Sequence, residues 1–344
     1  MSLLLLYLVY KLTTHTLEYL CIMKKILIIP VKNEEWILEF TLTCASQFFD
    51  HIIIADENST DETPNIYKKF PKVTYFTNQA KSYDEGNRRQ ILLEAARKFE
   101  GNNFIAHLAA DEIFSANILD FDVFNEMIKD KAPGTSFSFQ WVQLWRSERE
   151  YRNDKGSMWT NFDRPFAFID DREVNFEPGF AHLSIIPESL ALKAISIPHI
   201  KVLHYQFMDF ARMQRKQRWA KLLEFGKYTQ PVFLKSLILN NKYLSTKDEI
   251  GLELAPVPPE WLTGYKPCVL KPDASKWHAS KSIEFMTEYG VENLYWLDIW
   301  DYQWPTQFPD KRNWLQKFYH DHQHALYVIN NAIPKRLKNL IKKI

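Results

Sequence analysis

Residues 24–56 read KKILIIPVKNEEWILEFTLTCASQFFDHIIIAD, and the spacing of apolar residues within them decides the fold. ILIIPV (26–31) and HIIIAD (51–56) are short, nearly continuous apolar runs rich in isoleucine, the pattern of parallel strands buried on both faces. Between them, Glu34 to Phe48 carries Ile37, Leu38, Thr41, Leu42 and Ala45 at helical spacing, which predicts a crossover helix. Working outward, the unit repeats. NSTDETP predicts a helix starting near Ser59–Asp61, where capping side chains precede a proline suited to a first turn. VTYF (73–76) reads as a third strand, and Asp84 to Phe99, with Ile91, Leu92, Ala95 and Ala96 on one face, as a third helix. FIAHLAAD (104–111) supplies a fourth strand. This alternation predicts an α/β fold with a Rossmann-like, mostly parallel central sheet flanked by helices.

After about residue 133 the alternation changes. SFSFQWVQLW (136–145), RPFAFID (164–170) and ISIPHIKVLHYQF (195–207) are aromatic, β-prone segments that predict a mixed, aromatic-rich extension of the same sheet. Residues 209–228 read as a basic amphipathic helix. LYWLDIWDYQWPTQF (294–308) suits either a helix packing its rings on the core or part of a sugar-stacking groove. The end, PKRLKNLIKKI, is a short cationic helix with Leu337, Leu340, Ile341 and Ile344 on its apolar side. At the start, SLLLLYLVY is interrupted by Lys11, His15 and Glu18 before the ~18 apolar residues a membrane-spanning helix needs. It lacks the basic n-region of a secretory signal, and Met23 followed by KKILIIPVKNEEW reads as the start of a domain.

The chain has 344 residues, 46% hydrophobic and 25% charged, which excludes a disordered or multi-span membrane protein. Lys plus Arg is 43 against Asp plus Glu at 42, so no charge excess points to nucleic acid as a partner. Only 9 residues are glycine, and neither GxGxxG nor GxxxxGK[ST] occurs, so a phosphate ligand would be held by metal or side chains. Cys21, Cys44 and Cys268 have no CxxC spacing, which argues against a disulfide framework or thiolate zinc site and suggests a reducing, cytoplasmic compartment.

In open parallel sheets, ligands sit at the carboxyl ends of the strands. Lys32, Asn33 and Glu34 follow the first apolar run, Asp56, Glu57 and Asn58 the second, and Asp111 and Glu112 the fourth. Three strands thus deliver carboxylates to one edge, where a divalent cation or a cationic ligand is expected to offset their repulsion. His320, His322 and His324 do not read as a metal site, because only the first and last share a helical face and no carboxylate pattern accompanies them.

PVKNEEWILEFTL, FFDHIIIADENSTDETPNI, DEGNRRQILLEAAR and FIAHLAADEIF resemble, in order and spacing, the nucleotide-binding half of glycosyltransferase family 2, enzymes of the A-type glycosyltransferase fold. The resemblance covers roughly residues 24–115. It implies that Pro30, Lys32 and Glu34 line the nucleotide pocket, that Asp56 hydrogen-bonds the base, and that Arg89 lies near base and phosphates. Asp111 would be the metal-binding aspartate of the DxD motif. Where such proteins often read Leu-Asp-Ala-Asp-Glu, this chain has Leu108-Ala109-Ala110-Asp111-Glu112, so the first aspartate is alanine. Glu112 is the candidate to compensate.

VLHYQFMDFARMQRKQRWAKL (202–222) resembles the family region in which a histidine closes the metal site and basic residues face the diphosphate. His204 is the candidate ligand, and Arg212, Lys216 and Arg218 the candidate phosphate contacts. The family implies an inverting metal-dependent hexosyltransferase using Mn2+ or Mg2+, a nucleotide-diphosphate sugar donor and a glycan or lipid-linked acceptor, in a setting of polysaccharide, lipopolysaccharide or glycoprotein glycan assembly. Inversion needs a carboxylate base, sought between Trp159 and Pro187 among Asp163, Asp170, Asp171, Glu173 and Glu177. Glu177 is the first candidate, Asp170 or Asp171 the next. The expected organisation is an extension over 1–22, a catalytic domain over 23–230 and a helical aromatic-rich region over 231–344, whose basic end would allow peripheral membrane contact. Two other readings compete: a pseudo-glycosyltransferase that binds glycan or nucleotide, favoured by Ala109, and a nucleotidyltransferase, disfavoured because PVKNEE lacks a Gly-rich loop.

Overall fold

The computed structural model describes residues 23–79, 84–154, 160, 162–179, 183–247, 252–273, 276–300, 305–323 and 325. Within them the chain forms two compact units, one built on the described residues up to 208 together with 254–273, the other on those between 209 and 253 and from 276 onward. Within the second unit the basic helix that follows residue 208 packs on other helices, and residues 254–273 belong to the first unit.

The first unit is one eight-stranded sheet with helices on both faces. Its strands are β1 (Lys25–Val31), β2 (His51–Asp56), β3 (Val73–Thr77), β4 (Phe104–His107), β5 (Glu112–Phe114), β6 (Ser136–Gln143), β8 (Asp163–Ile169) and β9 (Ile195–His204), in the order β3-β2-β1-β4-β8-β6-β9-β5. A two-stranded ribbon pairs β7 (Glu150–Arg152) with β10 (Leu254–Pro256). β1 to β4 are mutually parallel, as their uninterrupted apolar runs predict. β8 runs antiparallel to both β4 and β6, β9 is parallel to β6, and β5 is antiparallel to β9. Two reversals restore direction, so β6 and β9 end on the same edge as β1 to β4.

Alternation along the strands divides the core. Leu27, Ile29, Ile52, Ile54, Phe104 and Ala106 face one way, against helix α1 (Leu38–Phe48). Ile26, Ile28, Ile53, Ala55 and Ile105 face the other, against Leu92, Leu93 and Ala96. Each such aliphatic side chain contributes roughly 1.5–3 kcal/mol on burial, which fixes the register because a one-residue slip would exchange the faces. The crossover helix starts at Leu38 rather than Glu34, because residues 34–37 form a turn closed on the Glu34 carbonyl.

Two further helices complete the crossovers. α2 (Thr63–Tyr67) is a single short turn with Pro64 near its start and no side-chain cap. Residues around its start bridge to the loop after β1: Ser59 Oγ accepts from the Asn33 amide (2.9 Å), Thr63 Oγ1 from the Glu34 amide (2.8 Å) and Asp61 Oδ2 from the Glu35 amide (3.2 Å), while Asp61 Oδ1 accepts from the Thr63 amide (3.0 Å). α3 (Glu85–Ala96) is capped by Asp84, whose Oδ1 accepts from the Asn87 amide at 2.8 Å. Short helices α4 (Phe121–Ile128) and α5 (Glu188–Ala191) fill the connections around β6 and β8.

The second unit is helical. α6 (Phe210–Lys227), α7 (Val232–Lys247) and α8 (Trp277–Tyr289) enclose Leu222, Phe225, Leu239, Met286, Leu294, Leu297 and Ile299, and α9 (Trp314–Asp321) follows with an Asn313–Gln316 capping box. No helix among the described residues is long and apolar enough to cross a membrane. Residues 1–22, the basic segment 334–344 and His324, on which the extension, the membrane contact and one of the three histidines were expected, lie outside the described residues. His320 is spent within its own unit on the Tyr295 carbonyl, 2.9 Å from Nε2.

Candidate active site

Six strands end on one edge of the sheet, and the loops that follow β1 and β2 are stitched together there. Asn33 Oδ1 accepts from the Thr60 amide (2.7 Å), and Glu35 Oε2 from the Glu62 amide (3.0 Å). Asn33 and Asn58 both adopt left-handed backbone, φ 54° and 56°, a conformation asparagine tolerates better than most residues. Lys32 Nζ donates to the carbonyl oxygens of Glu57 and Asn58, so this cation ties the two loops. Asp56 is buried at the end of β2. Its Oδ1 accepts from the Ser59 amide (2.9 Å) and its Oδ2 from the Tyr67 hydroxyl (3.0 Å). Burial together with the Asp56 charge raises the Tyr67 pKa, which keeps that hydroxyl a donor. Pro30 lies half-buried within β1, and Glu34 Oε2 accepts from the Trp36 indole at 2.6 Å.

The loop after β4 carries Asp111, which is 2% exposed. Its backbone carbonyl accepts from the Tyr205 amide (2.8 Å), and the next residue, Glu112, is the register partner of His204. The antiparallel pairing of β5 with β9 therefore brings His204 to Asp111, with 3.5 Å between His204 Nε2 and Asp111 Oδ2. Around the imidazole, Trp141 stacks with ring centres 4.7 Å apart and 20° between planes, and Gln143 Oε1 lies 2.6 Å from Nδ1. The Arg164 guanidinium lies 4.7 Å from the centre of the Trp141 ring, and burial lowers its pKa.

Both oxygens of Glu112, the candidate to compensate for Ala109, meet donors of the protein. Its Oε2 accepts from the Ala109 amide (2.7 Å) and its Oε1 from the Trp141 indole (2.8 Å). The carboxylate closes the loop around Ala109 and holds the ring that stacks on His204. It thus supports the site as an acceptor for protein donors.

Arg89 is buried on α3, where it pairs with Glu85 (2.6 Å) and donates to the Ser184 carbonyl (2.5 Å). These bonds anchor residues 183–186 to α3, beside which residues 174–179 also lie. Residues 183–186 also receive His107, the last residue of β4, whose Nδ1 lies 2.6 Å from the Ile185 carbonyl oxygen. Burial, reinforced by the Arg89 charge, pushes the His107 pKa down to about 3, so it stays neutral and its Nδ1–H donates. Glu177 is exposed beside the start of α3.

Asp170 and Asp171, the other two candidate bases, are not brought to this edge. β8 is antiparallel to β4, so its carboxyl end lies where β4 begins, and the Asp170 amide donates to the Asn103 carbonyl (2.9 Å). The Asp170 carboxylate is held by Arg97 through two bonds of 2.8 and 3.0 Å. Asp171 accepts from the amides of Glu173 and Val174. Lys216 is half-buried, and Arg212 and Arg218 are buried, all on α6 in the second unit. Gln143 and Trp141 were not singled out from the sequence. Their signal was their place, two residues apart at the carboxyl end of an expected strand, but the direction of that strand was unknown.

The sheet edge thus combines a buried aspartate, an imidazole and a stitched pair of loops in an α/β protein. Residues 26–173 match the family model of Glycosyl transferase family 2, the family the sequence resembles, and the sheet has the expected A-type glycosyltransferase fold. No curated protein matches the chain. Among solved structures, S. aureus TarS is 16% identical, covering 65% of this chain and 44% of its own, with a TM-score of 0.38. Glucosyl-3-phosphoglycerate synthase from Mycobacterium tuberculosis, in complex with Mn2+, uridine diphosphate and glucosyl-3-phosphoglycerate, is 15% identical over 53% of this chain and 72% of its own, TM-score 0.36. Mannosyl-3-phosphoglycerate synthase from Rubrobacter xylanophilus is 13% identical over 74% and 90%, TM-score 0.32. The chain spans less than half the length of TarS.

Proposed function

We propose that this chain is an inverting glycosyltransferase that moves a sugar from a nucleotide-diphosphate sugar to a hydroxyl of a glycan or lipid-linked acceptor, with a divalent cation at Asp111 and His204. The observation that carries this reading is the facing pair of Asp111 Oδ2 and His204 Nε2, 3.5 Å apart at the carboxyl edge of the sheet. Among the described residues no group of three His, Cys, Asp or Glu could hold a metal alone. One carboxylate and one imidazole nitrogen suit Mn2+ or Mg2+ when a diphosphate and water complete the shell. Once bound, such a cation neutralises charge that builds on the leaving diphosphate.

The protein's own groups do the rest. Asp56 retains acceptor capacity beyond its two protein donors and is placed to receive an N–H of the base. Lys32 and Glu34 shape the pocket wall through the loops they fasten, and Arg89 does so through its bond to the Ser184 carbonyl. Glu177, exposed beside the start of α3, is the proposed base that takes the acceptor hydroxyl proton. Lys216 is proposed as a diphosphate contact. In this reading the protein works in the cytoplasm.

The test is thermal unfolding with UDP, GDP, dTDP or CMP, with and without Mn2+, in the wild type and Asp111→Asn. A ligand at a hundred times its dissociation constant stabilises by about 2.7 kcal/mol. One nucleotide is expected to raise the melting temperature in a Mn2+-dependent way that Asp111→Asn abolishes. Ala109 favours a second reading, a binding protein without turnover, because no carboxylate stands at that position. Release of free nucleoside diphosphate from a nucleotide sugar would exclude it.

A further inference from the structure

β6 and β9 run parallel, and their last residues, Gln143 and His204, are register partners at the site edge. Gln143 is fully buried, and its Oε1 lies 2.6 Å from His204 Nδ1. A carboxamide oxygen carries no proton, so Nδ1 must donate, and the single ring proton of a neutral imidazole is thereby kept on Nδ1. Nε2 is left with its lone pair, and this is the nitrogen that faces Asp111 Oδ2. Trp141, on the same face of β6, stacks on the imidazole and fixes its plane. Nε2 and Asp111 Oδ2 face each other 3.5 Å apart in a pocket where both residues are under 5% exposed.

We infer that Gln143 is a positioning residue that holds His204 in the Nδ1–H tautomer, so that Nε2 is presented beside Asp111 as a bare ligand atom. The inference rests on the proposed role of the Asp111–His204 pair. Outer partners of this kind change metal affinity by about 10- to 100-fold when removed, because the ring then rotates and exchanges tautomers. Among the described residues Gln143 Nε2 has no hydrogen-bond partner.

The experiment uses the full chain labelled with 15N-histidine, free of metal and at alkaline pH. Long-range 1H–15N correlation reads the protonated nitrogen of each ring, and loss of one signal set in His204→Gln assigns His204. The wild type is expected to carry its proton on Nδ1, and Gln143→Met, which keeps the side-chain length without the acceptor, to shift the ring toward the Nε2–H form. Mn2+ alone, titrated by electron paramagnetic resonance, is then expected to bind Gln143→Met 10- to 100-fold more weakly than the wild type. A wild-type ring protonated on Nε2, or a Gln143→Met ring unchanged in tautomer, overturns the inference. A shifted tautomer with unchanged Mn2+ affinity overturns its ligand-presenting part. Because the ring measurement is made without metal, it decides the role of Gln143 even where a wild type that binds no Mn2+ counts against the metal reading.

Discussion

Glu112 has both carboxylate oxygens occupied by donors of the protein, the Ala109 amide and the Trp141 indole. Replacing it with alanine leaves two donors without partners in a buried pocket, at about 1–3 kcal/mol each. Glu112→Ala is therefore expected to lower the metal-free melting temperature, a result that a residue acting only as a metal ligand would not give. His107 makes the complementary case for pH. Its folded pKa is about 3, against roughly 6.5 in the unfolded chain. As pH falls from about 6.5 toward 3, the unfolded state gains a proton that the native state refuses, so stability present above 6.5 drains away at about 1.4 kcal/mol per pH unit. Urea unfolding at pH 7 and pH 5 is expected to show His107→Gln losing about 2 kcal/mol less than the wild type over that interval.

Close approach governs the elements. Residues 177–179 lie so near the start of α3 that a Cβ at Gly86 would stand 1.9 Å from the Glu177 carbonyl oxygen, and the Gly86 amide already donates to the Gly179 carbonyl (3.2 Å). Gly86→Ala must push Glu177 off the helix, which is expected to cost about 1–3 kcal/mol in chemical denaturation and to impair turnover in the same variant, since Glu177 is the proposed base. At this scale the sequence was a good guide where local chemistry decides. Apolar periodicity located β1 to β4 and their crossover helices, and Asp84 caps α3 as its type suggests. It was a poor guide to Ser59 and Asp61, which read as caps: Ser59 bonds across to Asn33, and Asp61 both accepts from the Thr63 amide and bonds across to Glu35, because a hydroxyl or carboxylate beside a helix start serves whichever amide is nearest in space. The Gly86 contact was invisible for the same reason: its partner is about ninety residues away.

At the scale of the molecule, strand direction decides which carboxylates can meet. Asp56 and Asp111 follow strands that run together, and His204 reaches them because two reversals return β9 to the same sense. Asp170 and Asp171 follow the one strand between β4 and β6 that runs the other way, and a linear reading had no access to that reversal. Their edge is the far one from Asp111. There Asp170 neutralises Arg97, with the Asp170 side chain 2% exposed, so it is a structural ion pair whose rupture strands a buried charge. Such ruptures cost about 3–5 kcal/mol. Asp170→Ala is accordingly expected to unfold at markedly lower urea concentration while its turnover, measured per folded molecule with the nucleotide sugar identified by melting, stays close to that of the wild type. Asp111→Asn is expected to do the reverse, keeping stability and losing turnover. A folded Asp170→Ala protein without turnover would return that carboxylate to the chemistry and contradict the assignment of the site to the carboxyl edge.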